Sequence, residues 1–117
     1  MSDVVIYHNP KCGTSRNVLA LLQEKGLEPQ VVEYVKTGWT REQLQDLLSR
    51  MDGASARDIL RVNGTNAEEL GLTDPNVSDE AIIAAMIIEP ILVNRPIVVT
   101  PKGAALCRPA ELVLGLL

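Results

Sequence analysis

The sequence predicts an α/β fold in which a mixed sheet is built from an N-terminal βαβ unit and a C-terminal ββα unit, separated by a helical insertion. Three observations carry this expectation. Val4-Val5-Ile6-Tyr7 has the β-branched and aromatic character of a buried strand, and Val18, Leu19, Leu21 and Leu22 follow at helical spacing. From Thr40 to Glu89 the apolar residues recur only at helical spacing. Ile97-Val98-Val99-Thr100 and Ala104 to Cys107 flank Pro101-Lys102-Gly103, a turn that reads as an antiparallel hairpin.

Taken in order, the first helix is expected over Thr14 to Lys25, with Gly26 as its left-handed stop and Lys25 in the last turn, where a cation suits the dipole. Gln30 to Tyr34 reads as the second strand, parallel to the first because a short βαβ crossover is right-handed. Lys36 to Trp39 is a turn. Thr40 with Gln43 has the capping-box pattern and opens a helix through Leu44, Leu47, Leu48 and Met51 that Asp52-Gly53 ends. Ser55 with Asp58 repeats the device for a short helix containing Ile59 and Leu60. Ser78, Asp79 and Glu80 begin another through Ile82, Ile83, Met86 and Ile87, which Pro90 stops. The span 40–89 is thus a helical insertion without a strand. After the hairpin, Pro109 suits the first position of a last helix that turns Leu112, Val113, Leu116 and Leu117 to the sheet.

A chain of 117 residues is the size of one ordinary domain, so a single domain spanning 1–117 is expected. Phe is absent and the aromatics are Trp39, Tyr7 and Tyr34, which leaves Leu, Ile, Val and Ala to build the core. A net charge of −4 and a pI near 4.9 argue against nucleic acid or an anionic membrane as partner. The opening residues show no secretory pattern and no segment approaches the roughly 18 apolar residues of a bilayer span, so a cytoplasmic protein is expected. Two well-separated cysteines and a lone histidine supply neither a disulfide framework nor a metal site, and no bound cofactor is expected.

Cys12 falls in the polar loop between the first strand and the first helix. A free cysteine is more often a small buried hydrophobe than a reactive group. Flanked by Lys11 and Gly13, Cys12 has a poor address for a core residue, and the N–H groups at the helix start favour thiolate over thiol. Lys11, Arg16 and His8 add to the local field. Cys107 is the contrast, because it ends an apolar segment and reads as structural.

Pro96 immediately precedes the third strand, where it lacks a ladder donor. It reads either as a trans proline entering an edge strand or, if the βαβ, insertion, ββα order is a thioredoxin-like topology, as the cis-proline such folds place opposite the active cysteine. Arg95 and Arg108 bracket the hairpin, and Arg61 ends a short helix. Most arginines are merely solvated, and Arg41, Arg50 and Arg57 take that reading. Loop positions at opposite strand ends also suit Arg95 and Arg108 to clamp an oxyanion beside Cys12.

Tyr-His-Asn-Pro-Lys-Cys-Gly-Thr-Ser-Arg-Asn, Leu60-Arg61, Glu-Leu-Gly-Leu at 69–72 and Ile-Leu-Val-Asn-Arg-Pro-Ile-Val-Val-Thr at 91–100 together resemble the glutaredoxin-coupled arsenate reductase family, and Gly103 and Cys-Arg-Pro at 107–109 also fit. The resemblance covers essentially the whole chain. It implies a thioredoxin-like fold, Cys12 as nucleophile toward arsenate, Arg61, Arg95 and Arg108 as oxyanion ligands, and His8 and Ser15 as tuners of the thiolate. Ser15 stands where a Cys-x-x-Cys motif would have its second thiol, so reducing equivalents come from outside, and the family implies glutathione as co-substrate followed by glutaredoxin. Cys107 as an internal resolving thiol is the less favoured alternative.

Two other functions fit the same fold. A glutathione-dependent thiol reductase or transferase would share the thiol without needing the arginines. A non-enzymatic transcriptional regulator binding RNA polymerase is the second, although such redox-sensing relatives often carry a Cys-x-x-Cys that this chain lacks. A phosphatase-like arsenate reductase is disfavoured, since its loop needs Cys-x5-Arg and Val18 stands at that position.

Overall fold

Strand β1 (Val5–Tyr7) is the hub of a computed structural model that describes residues 3–51 and 54–117. It lies second in a four-stranded sheet of order β2-β1-β3-β4, with β2 at Gln30–Val32, β3 at Ile97–Thr100 and β4 at Gly103–Leu106. The pairing is mixed. Ile6 faces Val31 on the parallel β2 and Val98 on the antiparallel β3, while β3 and β4 form an antiparallel hairpin. Gly103 belongs to β4 rather than to the turn, because it pairs with Thr100 across Pro101-Lys102.

Residues divide into two compact units, 1–37 with 95–117, and 38–94. In the first, helix α1 (Gly13–Glu24) links the parallel strands and begins one residue earlier than the sequence pattern suggests. Gly26, at φ +78°, ends it in the left-handed region that glycine enters without a Cβ penalty. Val18 and Leu22 of α1 join Val4, Ile6, Val98, Cys107 and Val113 in a buried apolar cluster. Strand β2 stops at Val32, short of the expected Tyr34. The Glu33 carbonyl accepts the N–H groups of Lys36 (2.9 Å) and Thr37 (3.2 Å), which turns the chain into a single helical turn, α2 (Tyr34–Thr37), and buries Tyr34.

The C-terminal segment departs from the expected α-helix. Ala110–Leu116 is a 3₁₀-helix and Pro109 is the extended residue before it. Spacing explains the difference: Val113 and Leu116 lie three apart and so share a face at three residues per turn. Val113 is buried, Leu116 and Leu117 are half-buried, and Leu112 is 51% exposed rather than turned to the sheet. Thr100 Oγ1 donates to the Leu116 carbonyl at 2.8 Å, satisfying one group that an α-helical end would leave open.

The second unit is helical. Thr40 and Gln43 form a full capping box at the start of α3 (Arg41–Ser49), and Ser78 Oγ accepts the Ala81 N–H at 3.1 Å to start α4 (Asp79–Ile88). The expected stop at Asp52-Gly53 lies outside the described residues. Asp58 takes the Ser55 N–H at 2.8 Å, but the short helix it opens, Ala56–Ile59, is 3₁₀. Buried residues of this unit include Leu44 and Leu47 from α3, Ile82, Ile83 and Met86 from α4, and Ile59. Pro90 ends α4 and opens a 3₁₀ turn, Pro90–Leu92. No named strand occurs in this unit among the described residues, yet Leu60 and Val93 make one antiparallel bridge, flanked by Arg61 N–H to Leu92 O (2.8 Å) and Asn94 N–H to Ile59 O (2.7 Å). Arg57 is not simply solvated: its Nη2 donates to the carbonyls of Asp74 (3.0 Å) and Val77 (3.1 Å). Arg41 pairs with Glu80, and Arg50 with Asp46 at 3.0 Å.

Candidate active site

β1 delivers the chain into the loop that carries Cys12. His8 N–H donates to Val32 O at 2.8 Å, one step beyond the β1–β2 ladder, so the loop starts from a fixed point. Asn9 then makes three bonds. Its Oδ1 accepts the Lys11 N–H (3.0 Å), its carbonyl accepts the Cys12 N–H (3.0 Å), and its own N–H donates to Ser15 Oγ (3.1 Å). Cys12 is the residue ahead of α1, in extended conformation at φ −97°, ψ 123°, and its carbonyl accepts the Arg16 N–H at 3.0 Å. The sulfur is thereby held against the open end of the helix.

Burial pushes the Cys12 thiol up, but the opposing influences together outweigh it and leave its pKa below the ordinary value. These are the backbone N–H of Ser15, the Arg108 guanidinium, the charge of Arg95 and the backbone N–H of Thr14. Arg108 Nη1 stands 3.5 Å from Sγ and donates to Arg95 O at 3.1 Å, so one guanidinium braces both the thiol and the neighbouring arginine's backbone. Cys12 is 7% exposed and Cys107 is 0% exposed. Cys107, whose Sγ lies 3.6 Å from Ala105 O, is pushed up to about 11 by burial, opposed by a hydrogen bond with the Val98 backbone.

His8 and Ser15 are both buried and hydrogen bonded through Nδ1 and Oγ at 2.6 Å. Burial lowers the His8 pKa, Glu33 opposes and Arg16 reinforces, so the balance favours the neutral imidazole. The Ser15 hydroxyl is occupied by His8 and Asn9, whereas its backbone N–H acts on Cys12. The Arg95–Pro96 and Arg108–Pro109 peptide bonds are cis, and Pro96 O accepts the Cys107 N–H at 2.9 Å.

Cys12, His8, Ser15, Arg95 and Arg108 are thus brought together within the first unit. Arg61 belongs to the second, where its Nε donates to Asn63 O at 2.9 Å. Asn9 was not singled out by its sequence setting, although Asn before Pro is a turn signal that would have found it. A thiolate ringed by N–H donors and guanidinium groups is chemically suited to attack an anionic electrophile whose charge those groups offset. Among the described residues no group of three or more His, Cys, Asp or Glu is placed to hold a metal, and no helix is long and apolar enough to cross a membrane.

Sheet order, the thiol at the first βα turn and the insertion before β3 define a thioredoxin-like protein. The chain belongs to the ArsC family, whose pattern it matches over residues 7–116. It is 56% identical over 114 residues to the arsenate reductase ArsI2 of Synechocystis, covering 97% of this chain and 81% of the relative. Against the arsenate reductase of Escherichia coli K12 it is 50% identical over 117 residues, covering 100% and 82%. The solved arsenate reductase of Vibrio cholerae superposes with a TM-score of 0.92 at 44% identity, covering 97% of each chain.

Proposed function

We propose that this protein reduces arsenate to arsenite, with Cys12 as nucleophile and glutathione and glutaredoxin as the source of electrons. The observation that carries the reading is Arg108 Nη1 at 3.5 Å from a Cys12 sulfur seated at a helix start, in a chain half or more identical to arsenate reductases. In this reading the Cys12 thiolate attacks arsenic, and one arsenate oxygen leaves as water or hydroxide while Arg61, Arg95 and Arg108 offset the anion's charge. His8 and Ser15 hold the loop that keeps the thiolate.

Taking arsenic from the +5 to the +3 state requires two electrons, and the thiol of Cys12 is one sulfur. A second thiol must complete the disulfide that balances the reduction. Cys107, fully buried and pushed up to about 11, is badly placed for that role, which favours an external thiol. Dependence on glutathione fits a reducing, cytoplasmic setting.

Purified protein supplied with arsenate, glutathione and glutaredoxin is expected to form arsenite over many turnovers, and Cys12→Ser is expected to form none. Multiple turnover with thioredoxin alone, and none with glutathione plus glutaredoxin, overturns the electron source while leaving the substrate. Glutathione-disulfide exchange without arsenate reduction moves the protein to the thiol-reductase class.

A further inference from the structure

We infer that Asn9 is a positioning residue for Cys12, acting through its side-chain Oδ1 to hold the turn that aims the sulfur at the helix start. The inference rests on Cys12 being the reactive thiol. Its ground is the donor inventory of the loop. Pro10 has no N–H, so the first backbone donor after Asn9 is Lys11, and Asn9 Oδ1 takes it at 3.0 Å. The next donor, Cys12 N–H, goes to the Asn9 carbonyl at 3.0 Å, and the Asn9 N–H goes to Ser15 Oγ at 3.1 Å. Pro10 O is taken by Arg16 Nη1 at 2.9 Å.

With those groups committed elsewhere, the N–H groups that act on the thiolate are those of Thr14 and Ser15. Asn9 therefore ties the residue before the sulfur, the sulfur's own backbone and the first turn of α1 to one point. It is 8% exposed, so its amide oxygen is offered to Lys11 from a largely buried side chain. The Asx turn is the one of these ties that depends on the side chain. Without it, the Lys11 N–H loses its partner and the Pro10–Lys11 segment is held only by Arg16 Nη1 at Pro10 O and by the Cys12 N–H at Asn9 O. Arg108 Nη1 at 3.5 Å from sulfur has little distance to lose before that contact fails.

The experiment is the rate of Cys12 alkylation against pH, which needs no arsenate and so is independent of the substrate assignment. Cys12→Ser turnover tests the function; the Asn9 variants test only the positioning. Asn9→Ala is expected to raise the inflection by about 0.5 to 1 unit, giving about 3- to 10-fold slower alkylation below it and an unchanged plateau above it. Lys11 amide exchange should quicken in the same variant. Asn9→Ser keeps a neutral oxygen that can form the weaker hydroxyl turn, and should recover at least half of the shift. A folded Asn9→Ala with the parental inflection overturns the inference, as does an equal shift in Ala and Ser variants. Should Asn9→Ala fail to fold, Asn9→Ser decides: an inflection within about 0.3 unit of the parent supports the turn, and return to an ordinary thiol value overturns it.

Discussion

Burial acts on both sulfurs in the same direction, upward, and the two part company only through what stands beside them. At Cys12 the Ser15 and Thr14 N–H groups and the Arg108 and Arg95 guanidiniums reverse the effect of burial. Cys107 has a hydrogen bond with the Val98 backbone against a larger desolvation. Iodoacetamide should accordingly modify native Cys12 with an inflection below 9.0 and leave native Cys107 intact. Arg108→Ala removes the donor at Sγ, so its inflection should move up, and arsenate turnover should fall by about 10²-fold, the scale for losing one donor to a reacting anion. Arg108→Lys keeps the charge but not the planar fork, and should recover the inflection better than the turnover. Equal turnover in all three proteins would remove Arg108 from the anion site. Cys12 was legible in the sequence because its evidence is local: a polar loop, small residues and a helix start. Arg108 was legible only as a possibility of topology, since 96 residues separate it from the sulfur it touches. Arg57 was misread because its partners, the carbonyls of Asp74 and Val77, belong to a loop with no pattern in the sequence.

At the level of elements, the starts of the helices follow from side chains within three residues of each other. Thr40 Oγ1 accepts the Gln43 N–H at 3.1 Å and Gln43 Oε1 accepts the Thr40 N–H at 2.9 Å, so two donors of the α3 terminus are met by the pair. Thr40→Ala should lower the unfolding free energy by about 1 kcal/mol, and Thr40→Ser by much less, as read from urea midpoints at constant slope. A Thr40→Ala midpoint equal to the parent would show that this terminus frays in the native protein. Such caps are short-range chemistry, which is why α3 and α4 were readable in advance. The elements that were misjudged depend on partners far away. Ala110–Leu116 looks α-helical by its apolar content, but its form is set by Val113 in the core and by Thr100 reaching the Leu116 carbonyl. Likewise the Leu60–Val93 bridge joins residues 33 apart and leaves no alternation behind it in either segment.

Over the whole molecule, the sheet unit is made from both ends of the chain, and its core cannot close until they meet. Val4, Ile6, Val18 and Leu22 come from the N-terminal segment, whereas Val98, Cys107 and Val113 come from the C-terminal one. Ile6, on the central strand between β2 and β3, is fully buried, so Ile6→Ala should cost about 2–5 kcal/mol through lost transfer energy and the cavity left behind. The same cluster sets an alkaline limit. Cys107 sits in it with a pKa raised from 9.0 to about 11, so the folded state admits the thiol and resists the thiolate. The unfolded chain loses this proton near 9.0 and the folded chain only near 11, which means that the unfolded state binds fewer protons between those values. Stability from this group is therefore complete below pH 9.0 and declines as pH rises toward 11. Cys12 has the opposite sign: its lowered pKa contributes stability above the unfolded value, and that contribution is lost as pH falls through the folded one. Lysines and tyrosines also titrate in the alkaline range, so the discriminating measurement is a difference. Urea unfolding of Cys107→Ala should start from a lower stability at pH 8, because a buried sulfur is gone, and then fall less steeply than the parent between pH 9 and 11. Parallel declines in the two proteins would place the alkaline loss outside Cys107 and deny that this core excludes the thiolate.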